Sequence, residues 1–503
     1  MEQGYDVIVL GGGSAGCVAA TRLSEDPGRR VLLLEAGADP RPIPEMVSSS
    51  VRQPALMLES EYMLMYPVQR RIDGSIYYNL SGRIMGGGSS VNAMSTLRPL
   101  KHDLDTWVAL GNPDWSYENM LPILKRLESD QDFPDSPLHG ATGPLYVKRG
   151  FTLGMETAPP VKAFLDRAQA MGLPLCPDLN VPDPLGVCAS PYNIKDGRRQ
   201  SVVVSYLDLA RNRPNLTIVS EAAVESLRIE GAKVQEVVYR KDGQQHRVTG
   251  DKIVLSAGAL HSPQLLMLSG IGPAADLRRL GARVVRALEG VGENYQDHAG
   301  VAMTFEGRTE FRPDWVVPRF RLIIKSDPSR PCGNFHINMR PPTEVVGIKR
   351  MMPVTAHLLE QTNRGRLWLS TPDPAALPEI DSQMLEHPDD LKAMVSAMQF
   401  MYDLVQHPSM AEFYGPMLQP APQDDWGVFA RSTYESYQHP AGTCMMGPAS
   451  NPMAVVDQRL RVHGMDNLWV ADASIMPNIS HANTNITSIM IGERVSDIIK
   501  AGG

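Results

Sequence analysis

Cysteines and long apolar runs are both scarce in this sequence. Its 503 residues include five cysteines, which are Cys17, Cys176, Cys188, Cys332 and Cys444. No two of them form the Cys-x-x-Cys spacing of zinc sites and redox pairs. No apolar run reaches the roughly 20 residues that span a bilayer, and the apolar run at 5–10 leaves no room for a signal peptide before it. We therefore expect a cytoplasmic protein with reduced thiols, no metal site and no membrane span.

Positive charge is also in deficit. Lys and Arg number 48 against 56 Asp and Glu, a formal net charge of -8, which argues against nucleic acid as a partner because phosphate binding needs clustered cations. The sequence lacks a Walker phosphate loop, a His-Glu-x-x-His motif and a repeat of fixed period. The 43% hydrophobic and 21% charged content is typical of a globular protein, and the length suits about two to three domains.

A glycine-rich motif stands near the start of the chain. The pattern predicts a strand, a turn and a helix at residues 5–10, 11–16 and 17–23. The turn reads Gly-Gly-Gly-Ser-Ala-Gly, a G-x-G-x-x-G motif in its usual context. Gly11 permits the tight turn, Gly13 lets the backbone approach a pyrophosphate, and Gly16 lets the helix pack closely on the strand. With Ser14 and Ala15 in the same turn, the motif predicts a dinucleotide site at a helix N-terminus.

Glu35 supports this interpretation. It follows a second predicted strand at 31–34, lies 24 residues after Gly11 and is followed by Ala36. An acid at this distance is positioned to accept hydrogen bonds from a ribose. A 2′-phosphate would meet its negative charge, so NADP is disfavoured. The motif alone does not separate FAD from NAD.

Further segments resemble, in the same order along residues 5–500, the glucose-methanol-choline (GMC) oxidoreductase family. The segment Gly-Arg-Ile-Met-Gly-Gly-Gly-Ser-Ser-Val-Asn at 82–92 resembles the family's first signature. The second signature and the segment after it are matched at 258–273 and 292–298. The C-terminal matches are His-Pro-Ala-Gly-Thr-Cys at 439–444, Val-Ala-Asp-Ala-Ser-Ile-Met-Pro at 470–477 and Asn-Thr-Asn-Ile-Thr at 483–487.

The resemblance implies an α/β fold with FAD as the cofactor. It implies a Rossmann-like FAD-binding domain and a second α+β substrate domain built on a mainly antiparallel sheet. Because the flavin-binding segments are interrupted in sequence, we expect the FAD-binding domain to comprise 1–149, 190–299 and 435–503. The substrate-binding domain then takes 150–189 and 300–434.

The resemblance also assigns roles to individual residues. His439 and Asn483 would face the reactive nitrogen of the flavin, with His439 as the base. A neutral imidazole suits this role, because its ordinary pKa of about 6.5 leaves much of it unprotonated near pH 7. The cofactor contacts expected besides those of the glycine turn and Glu35 come from Arg83, Gly87, Ser90, Val91, Asn92, Ala93, Met94, Val224, Ala257, Asp472, Ala473, Asn483, Thr484 and Asn485.

Two departures from the family pattern stand out. Val91 occupies a position where relatives with covalent FAD can carry a histidine, so we expect the cofactor to be bound without a covalent link. The segment Asn79-Leu80-Ser81 stands where many relatives carry an aromatic-Pro-Arg run, which leaves the local contacts of the flavin open.

The function expected from the resemblance is oxidation of a primary alcohol to the aldehyde, with oxygen or another electron acceptor reoxidising the flavin. Seven phenylalanines lie within 301–434, either lining a pocket or filling the core, and they favour a small aromatic or heteroaromatic alcohol. A hydroxynitrile lyase of the same fold and a dehydrogenase that uses a non-oxygen acceptor are alternatives. A light-driven fatty-acid decarboxylase and a non-catalytic flavin-binding protein are others.

Some residues near the motifs receive a structural interpretation. His481 lies just before Asn483, and we expect it to support the site; a catalytic role is the alternative. Cys444 lacks an activating neighbour in the sequence and is expected to pack in the core.

Overall fold

The computed structural model describes residues 4–51, 54–150, 152, 155–308, 319–339 and 351–502. Within this part of the chain, no helix has the length and apolar character needed to cross a membrane.

A five-stranded parallel sheet carries the glycine motif. In spatial order its strands are Leu216–Val219, Val31–Leu34, Tyr5–Leu10, Gly250–Leu255 and Leu468–Val470. Short runs of Val, Ile and Leu suit these positions because both faces of the sheet are covered. The carboxyl ends of parallel strands meet at one edge, so Gly11 and Glu35, which follow adjacent strands, lie side by side there.

Two long helices pack together beneath this edge. The first is Ser14–Leu23, which begins three residues earlier than the sequence pattern predicts, because the glycine turn closes by Gly13. The second is Thr484–Lys500. A Cβ atom at Gly492 would stand 2.5 Å from the carbonyl oxygen of Ala15, so only glycine permits this close approach.

A mixed sheet of eight strands faces the same edge. Seven strands follow one another in the order Tyr414–Gln419, Ala299–Gly307, Met351–Leu358, Phe335–Met339, Phe320–Ile324, Gly186–Ala189 and Leu175–Cys176. The eighth, Glu435–Ser436, pairs with Ala299 and Gly300. All pairings are antiparallel except the last pair in the row.

The phenylalanines of 301–434 fill the core. Phe305, Phe320, Phe335 and Phe413 are buried, and Phe400 and Phe429 pack against the same core. Phe311 lies outside the described residues. Large apolar rings stabilise most by burial, which accounts for their position.

Smaller elements complete the chain. Two antiparallel units are formed by Ala223–Glu230, Lys233–Lys241 and Gln244–Val248, and by Met63–Gln69 and Ile76–Gly82. Among the described residues, the other helices of eight or more residues are Lys101–Ala109, Tyr117–Arg126, Pro159–Ala170, Gly258–Leu268, Pro388–Val405 and Trp426–Thr433.

The predicted domain boundaries correspond to the sheets as follows. Every strand of the parallel sheet falls within 1–149, 190–299 or 435–503. The boundary between 299 and 300 lies inside the strand Ala299–Gly307, which belongs to the mixed sheet. The division into two domains stays a prediction.

A cluster of buried charged residues lies away from the region where the parallel sheet and the mixed sheet face each other. Its members are Arg98, Glu128, Asp130, His139, Arg149 and Asp178. The ring of His139 approaches three carboxylates, with Nδ1 2.7 Å from Glu128 and Nε2 2.8 Å from Asp178. Three carboxylates against two guanidiniums leave one negative charge, which an imidazolium balances. Burial lowers the pKa of His139, but the three carboxylates outweigh burial and raise the pKa to about 10.

The ion cluster should make stability depend on pH. The pKa of His139 is about 10 in the folded chain and about 6.5 when unfolded, so its stabilisation is complete below pH 6.5 and is lost as pH rises towards 10. We expect His139→Gln to lower the urea midpoint of unfolding at pH 6 and to lower it much less at pH 10. Exposed His407 provides the control variant, His407→Gln. A difference between His139→Gln and wild type that stays constant from pH 6 to pH 10 would show that the imidazole is neutral in the fold.

Candidate active site

A cavity of about 1170 Å³ lies between the parallel sheet and the mixed sheet. Its lining includes Leu10 and Leu34 at the ends of parallel strands, and Gly300 and Thr355 from the mixed sheet. Most residues predicted from the sequence line it: Gly11, Gly13, Ser14, Ala15, Glu35, Ala36, Arg83, Gly87, Val91, Asn92, Ala93, Val224, Ala257, His439, Asp472, Ala473, Asn483, Thr484 and Asn485. Segments scattered over more than 450 positions therefore meet around one cavity.

Three predicted residues do not line the cavity. A Cβ atom at Gly16 would collide with the carbonyl oxygen of Gly11, so Gly16 serves the packing of helix on strand. The hydroxyl of Ser90 donates to the carbonyl oxygen of Met85 at 2.7 Å. Met94 is fully buried, with a φ of 65°. These residues shape the segments whose neighbours reach the cavity.

Two glycine segments lie side by side at the end of the cavity where the sequence predicts the phosphates, which we call the phosphate end. A Cβ atom at Gly13 would meet no atom closer than 3.9 Å, so the missing side chain leaves open space in front of the backbone. A Cβ atom at Gly87 would stand 2.9 Å from the Cα atom of Gly13, and the amide of Gly86 donates to the carbonyl oxygen of Gly12 at 2.7 Å. No side chain caps the helix that begins at Ser14. Its first amide groups therefore suit a pyrophosphate.

Glu35 holds this turn in shape. One carboxylate oxygen accepts a hydrogen bond from the amide of Gly12 at 2.7 Å, and the other accepts one from the amide of Gly37 at 2.7 Å. Burial raises the pKa of Glu35 despite these donors. The sequence predicts a ribose contact here, and the structure adds that Glu35 fixes the backbone on both sides of the cavity edge.

Asp472 and two asparagines line the other side. Asp472 accepts hydrogen bonds from the amide of Gly258 at 2.9 Å and from the hydroxyl of Ser262 at 2.6 Å, and burial raises its pKa. The amide nitrogen of Asn485 and the amide oxygen of Asn483 are buried without a partner among the described residues. Buried polar atoms need partners, which the hydroxyls and ring of a flavin nucleotide provide. The donor set and the open glycine backbone therefore fit FAD.

His439 stands at the reaction end of the cavity. Its Nε2 lies 3.0 Å from the amide nitrogen of Asn483, and its Nδ1 lies 2.9 Å from Nδ1 of His298. Because an amide nitrogen only donates, Nε2 is the acceptor, and the ring carries its proton on Nδ1, where it donates to His298. Burial lowers the pKa of His439 to about 3, and the charges of His357 and Arg321 act in the same direction. The imidazole is thus a neutral base with its lone pair at Nε2.

Asp297 positions both histidines. One of its oxygens accepts the amide of His298 at 2.7 Å and the amide of His439 at 3.0 Å. The other accepts from the hydroxyl of Ser436 at 2.5 Å and from the side chain of Asn79 at 3.0 Å. Asn79 belongs to the segment that departs from the family pattern, and in the structure its side chain donates a hydrogen bond to Asp297.

Tyr437 and His357 give the reaction end a flat aromatic surface. Their rings stack with centroids 3.7 Å apart, and the Tyr437 centroid lies 4.5 Å from that of His439. Both line the cavity, whereas none of the six described phenylalanines does. From the sequence, we expect these phenylalanines to favour an aromatic substrate. For these six the expectation is wrong, because their rings pack in the core and do not reach the cavity.

His481 and Cys444 lie outside the lining. Nδ1 of His481 lies 2.5 Å from the Asp103 carboxylate. Burial lowers the pKa of His481, but Asp103 outweighs burial and the pKa is raised. A protonated imidazole held in this way favours the supporting role. Cys444 is fully buried, and burial raises the pKa of its thiol, which favours packing.

Sequence reasoning missed the roles of His298, Asp297, Tyr437 and His357. His298 and Asp297 lie in a recognised motif, but their contacts with His439 join positions 141 and 142 residues apart. For Tyr437, the one local indication of a role was that it stands two residues before His439 in the sequence.

Comparisons with known proteins agree with this geometry. A family model described as GMC oxidoreductase matches residues 5–300, and its C-terminal counterpart matches 361–492. The chain is 35% identical to mitochondrial choline dehydrogenase of Homo sapiens, covering 99% of this chain and 90% of the relative. It is 32% identical to 5-(hydroxymethyl)furfural oxidase of Methylovorus sp. (strain MP688), covering 98% of both. Among solved structures, pyridoxine 4-oxidase from Mesorbium loti superposes with a TM-score of 0.91 at 29% identity, covering 98% of both chains.

The family matches cover most of the chain, and the cavity carries the donor set that FAD needs. The chain therefore belongs to the GMC oxidoreductase family and is a FAD-dependent oxidoreductase that acts on the CH–OH group of alcohols.

Proposed function

We propose that the protein oxidises a small aromatic or heteroaromatic primary alcohol to the aldehyde, with His439 as the acceptor of the hydroxyl proton. The observation that carries the proposal is the buried, neutral imidazole of His439, whose Nε2 lone pair lies 3.0 Å from the Asn483 amide at the reaction end of the cavity.

The residues divide the chemistry as follows. Bound FAD supplies a hydride acceptor. The hydroxyl proton moves to Nε2 of His439, and the Asn483 amide nitrogen, which lies 3.0 Å from Nε2, donates to the alcohol oxygen. His298 accepts the hydrogen bond from Nδ1 and so holds the tautomer that leaves Nε2 free. Burial of the site excludes water, which strengthens each of these hydrogen bonds.

The preference for an aromatic substrate rests on the stacked rings of Tyr437 and His357. A flat ring of the substrate would find a parallel surface there, beside His439. Two similar proteins bear names that specify ring-bearing alcohols, hydroxymethylfurfural and pyridoxine. Named relatives include an oxidase and a dehydrogenase, so oxygen and another electron acceptor both stay open.

The role of His439 can be tested by removing the imidazole. We expect His439→Ala to keep bound FAD and to lower the rate of flavin reduction by benzyl alcohol by about 100-fold or more, because a positioned base typically contributes ~10² to 10⁴ in rate. The measurement is anaerobic stopped-flow absorbance of the flavin band. Exposed His407→Ala serves as the control.

The pH profile gives a second readout of the same residue. Since the pKa of His439 is lowered to about 3, its imidazole stays neutral from pH 8 down to pH 5, and a fall in the wild-type reduction rate within this range should follow the protonation of Asp297, whose pKa burial raises to about 6. Near-normal reduction by His439→Ala would place the base elsewhere, with His481 the next residue to substitute. Failure of every alcohol to bleach the wild-type flavin would favour a lyase.

Glu35 should govern cofactor retention. We expect Glu35→Ala to release FAD on gel filtration more readily than wild type, because both the ribose contact and the two backbone bonds of the turn are lost. The fraction that keeps FAD should be reduced by alcohol at the wild-type rate. Equal FAD affinity in the two proteins, measured by titration of the apoprotein, would remove Glu35 from the binding site.

The flavin should be released whole on unfolding. Val91 lines the cavity and has no nucleophilic atom, so binding rests on hydrogen bonds and packing alone. The mass of the acid-unfolded chain should equal that of the polypeptide, and free FAD at 100 times its Kd should stabilise the apoprotein by about 2.7 kcal/mol. A chain heavier by one FAD would identify a covalent link through another residue.

A further inference from the structure

Arg321 is a buried cation beside the reaction end of the cavity. It lies in the strand Phe320–Ile324 of the mixed sheet and is 5% exposed. Its guanidinium donates to the hydroxyl of Ser190 at 3.0 Å and to the hydroxyl of Ser95 at 2.8 Å, and Tyr437 lies close to it. Its Nε has no partner, and no carboxylate in the described part of the chain pairs with it.

An unpaired buried guanidinium needs an explanation. Arginine stays protonated in proteins, so burial does not neutralise it as it neutralises His439. Removing a cation from water is costly unless an anion and a full set of hydrogen bonds compensate it. Two other buried arginines show the usual solution: Arg98 pairs with Glu128 at 2.6 Å and Arg149 pairs with Asp178 at 2.6 Å. Among the described residues, the hydrogen-bond partners of Arg321 are hydroxyl groups.

Two side chains with hydroxyl groups link the Arg321 guanidinium to the cavity wall. Ser95 and Tyr437 both line the cavity. The Ser95 oxygen accepts from Arg321, so its own proton is available to donate into the cavity, and the guanidinium polarises that bond. The positive field reaches His439, whose pKa it helps to lower.

Among the described residues, no carboxylate at this end of the cavity offsets the charge of Arg321. Glu435, from the segment next to His439, is 65% exposed at its side chain and pairs with Arg70 at 2.8 Å. Asp297 stands behind His439, outside the lining, and its oxygens are taken up by hydrogen-bond donors. The other lining carboxylates belong to the cofactor end or to exposed loops, and they are Glu35, Glu225, Asp373 and Asp472.

We propose that Arg321, acting through the hydroxyls of Ser95 and Tyr437, makes the cavity selective for primary alcohols that carry an anionic group such as a carboxylate. The anion supplies the negative charge that the described residues do not place beside Arg321. Alcohols with a quaternary ammonium group are rejected, although a choline dehydrogenase is among the relatives. This selectivity rests on the proposed oxidation of an alcohol, and it narrows the substrate to a charge class.

Three benzyl alcohols that differ in the charge of their para substituent test the proposal. They are 4-(hydroxymethyl)benzoate, the uncharged 4-(hydroxymethyl)benzamide and the cationic 4-(hydroxymethyl)phenyltrimethylammonium. With FAD-loaded wild type, anaerobic flavin reduction should favour the benzoate over the benzamide by about 10-fold or more in kcat/KM, and over the cation by about 100-fold or more. Arg321→Met should lower the ratio of kcat/KM for the benzoate to that for the benzamide by about 10-fold or more. Arg321→Lys should keep part of the preference, and exposed Arg459→Met, which removes the same charge elsewhere, should keep all of it.

A binding measurement separates this proposal from the proposed reaction. The probes are 4-methylbenzoate and 4-methylphenyltrimethylammonium, titrated while the flavin absorbance of wild type and Arg321→Met is recorded. If no alcohol is oxidised but the benzoate binds wild type more tightly than Arg321→Met, the proposed function fails and the charge selection stands. Equal losses of Arg321→Met on all three alcohols, or wild-type binding of the cation as tight as that of the benzoate, would overturn the role of Arg321. If Arg321→Met does not retain FAD, the proposal is decided by the wild-type protein alone, from its relative kcat/KM values for the three alcohols.

Discussion

The buried carboxylate of Asp297 fixes where the reactive imidazole stands. It accepts the backbone amides of His298 and His439 through one oxygen, so two segments 141 residues apart are held to the same atom. Burial raises the pKa of Asp297 to about 6 in spite of the donors around it, so the group is ionised at neutral pH. Its charge-assisted hydrogen bonds bring the two imidazole rings within 2.9 Å, and that contact in turn sets the tautomer of His439.

The cavity has two chemically distinct ends. At the cofactor end, the carboxylates of Glu35 and Asp472 are occupied with backbone amides, and the open glycine backbone leaves amide donors for phosphate. At the reaction end, neutral imidazoles and a buried guanidinium replace carboxylates. One elongated cavity can therefore hold a polyanionic nucleotide and still offer an anion-accepting surface beside the base.

Local motifs predicted the parts of this arrangement that depend on neighbouring residues. The strand–turn–helix around Gly11 and the acid at Glu35 follow from backbone geometry within one βαβ unit, and the structure places both at the cavity. The resemblance brought His439 and Asn483 to the same place. Contacts across two sheets were beyond sequence reasoning, because the pairing of Arg321 with Ser95 depends on which strands become neighbours. The six described phenylalanines show the same limit, because an apolar ring predicts burial but does not predict whether the ring packs in the core or lines a cavity.

One edge of the parallel sheet is formed by a strand from the C-terminal part of the sequence. Leu468–Val470 pairs with Gly250–Leu255, and the helix from Thr484 to Lys500 packs on the helix that follows the first glycine turn. Asn485, which reaches the hydroxyl of Ser14, belongs to that same helix. A chain lacking these elements would have the glycine turn but not the helix that supports it. The cavity is therefore complete only when segments from distant parts of the sequence have packed together.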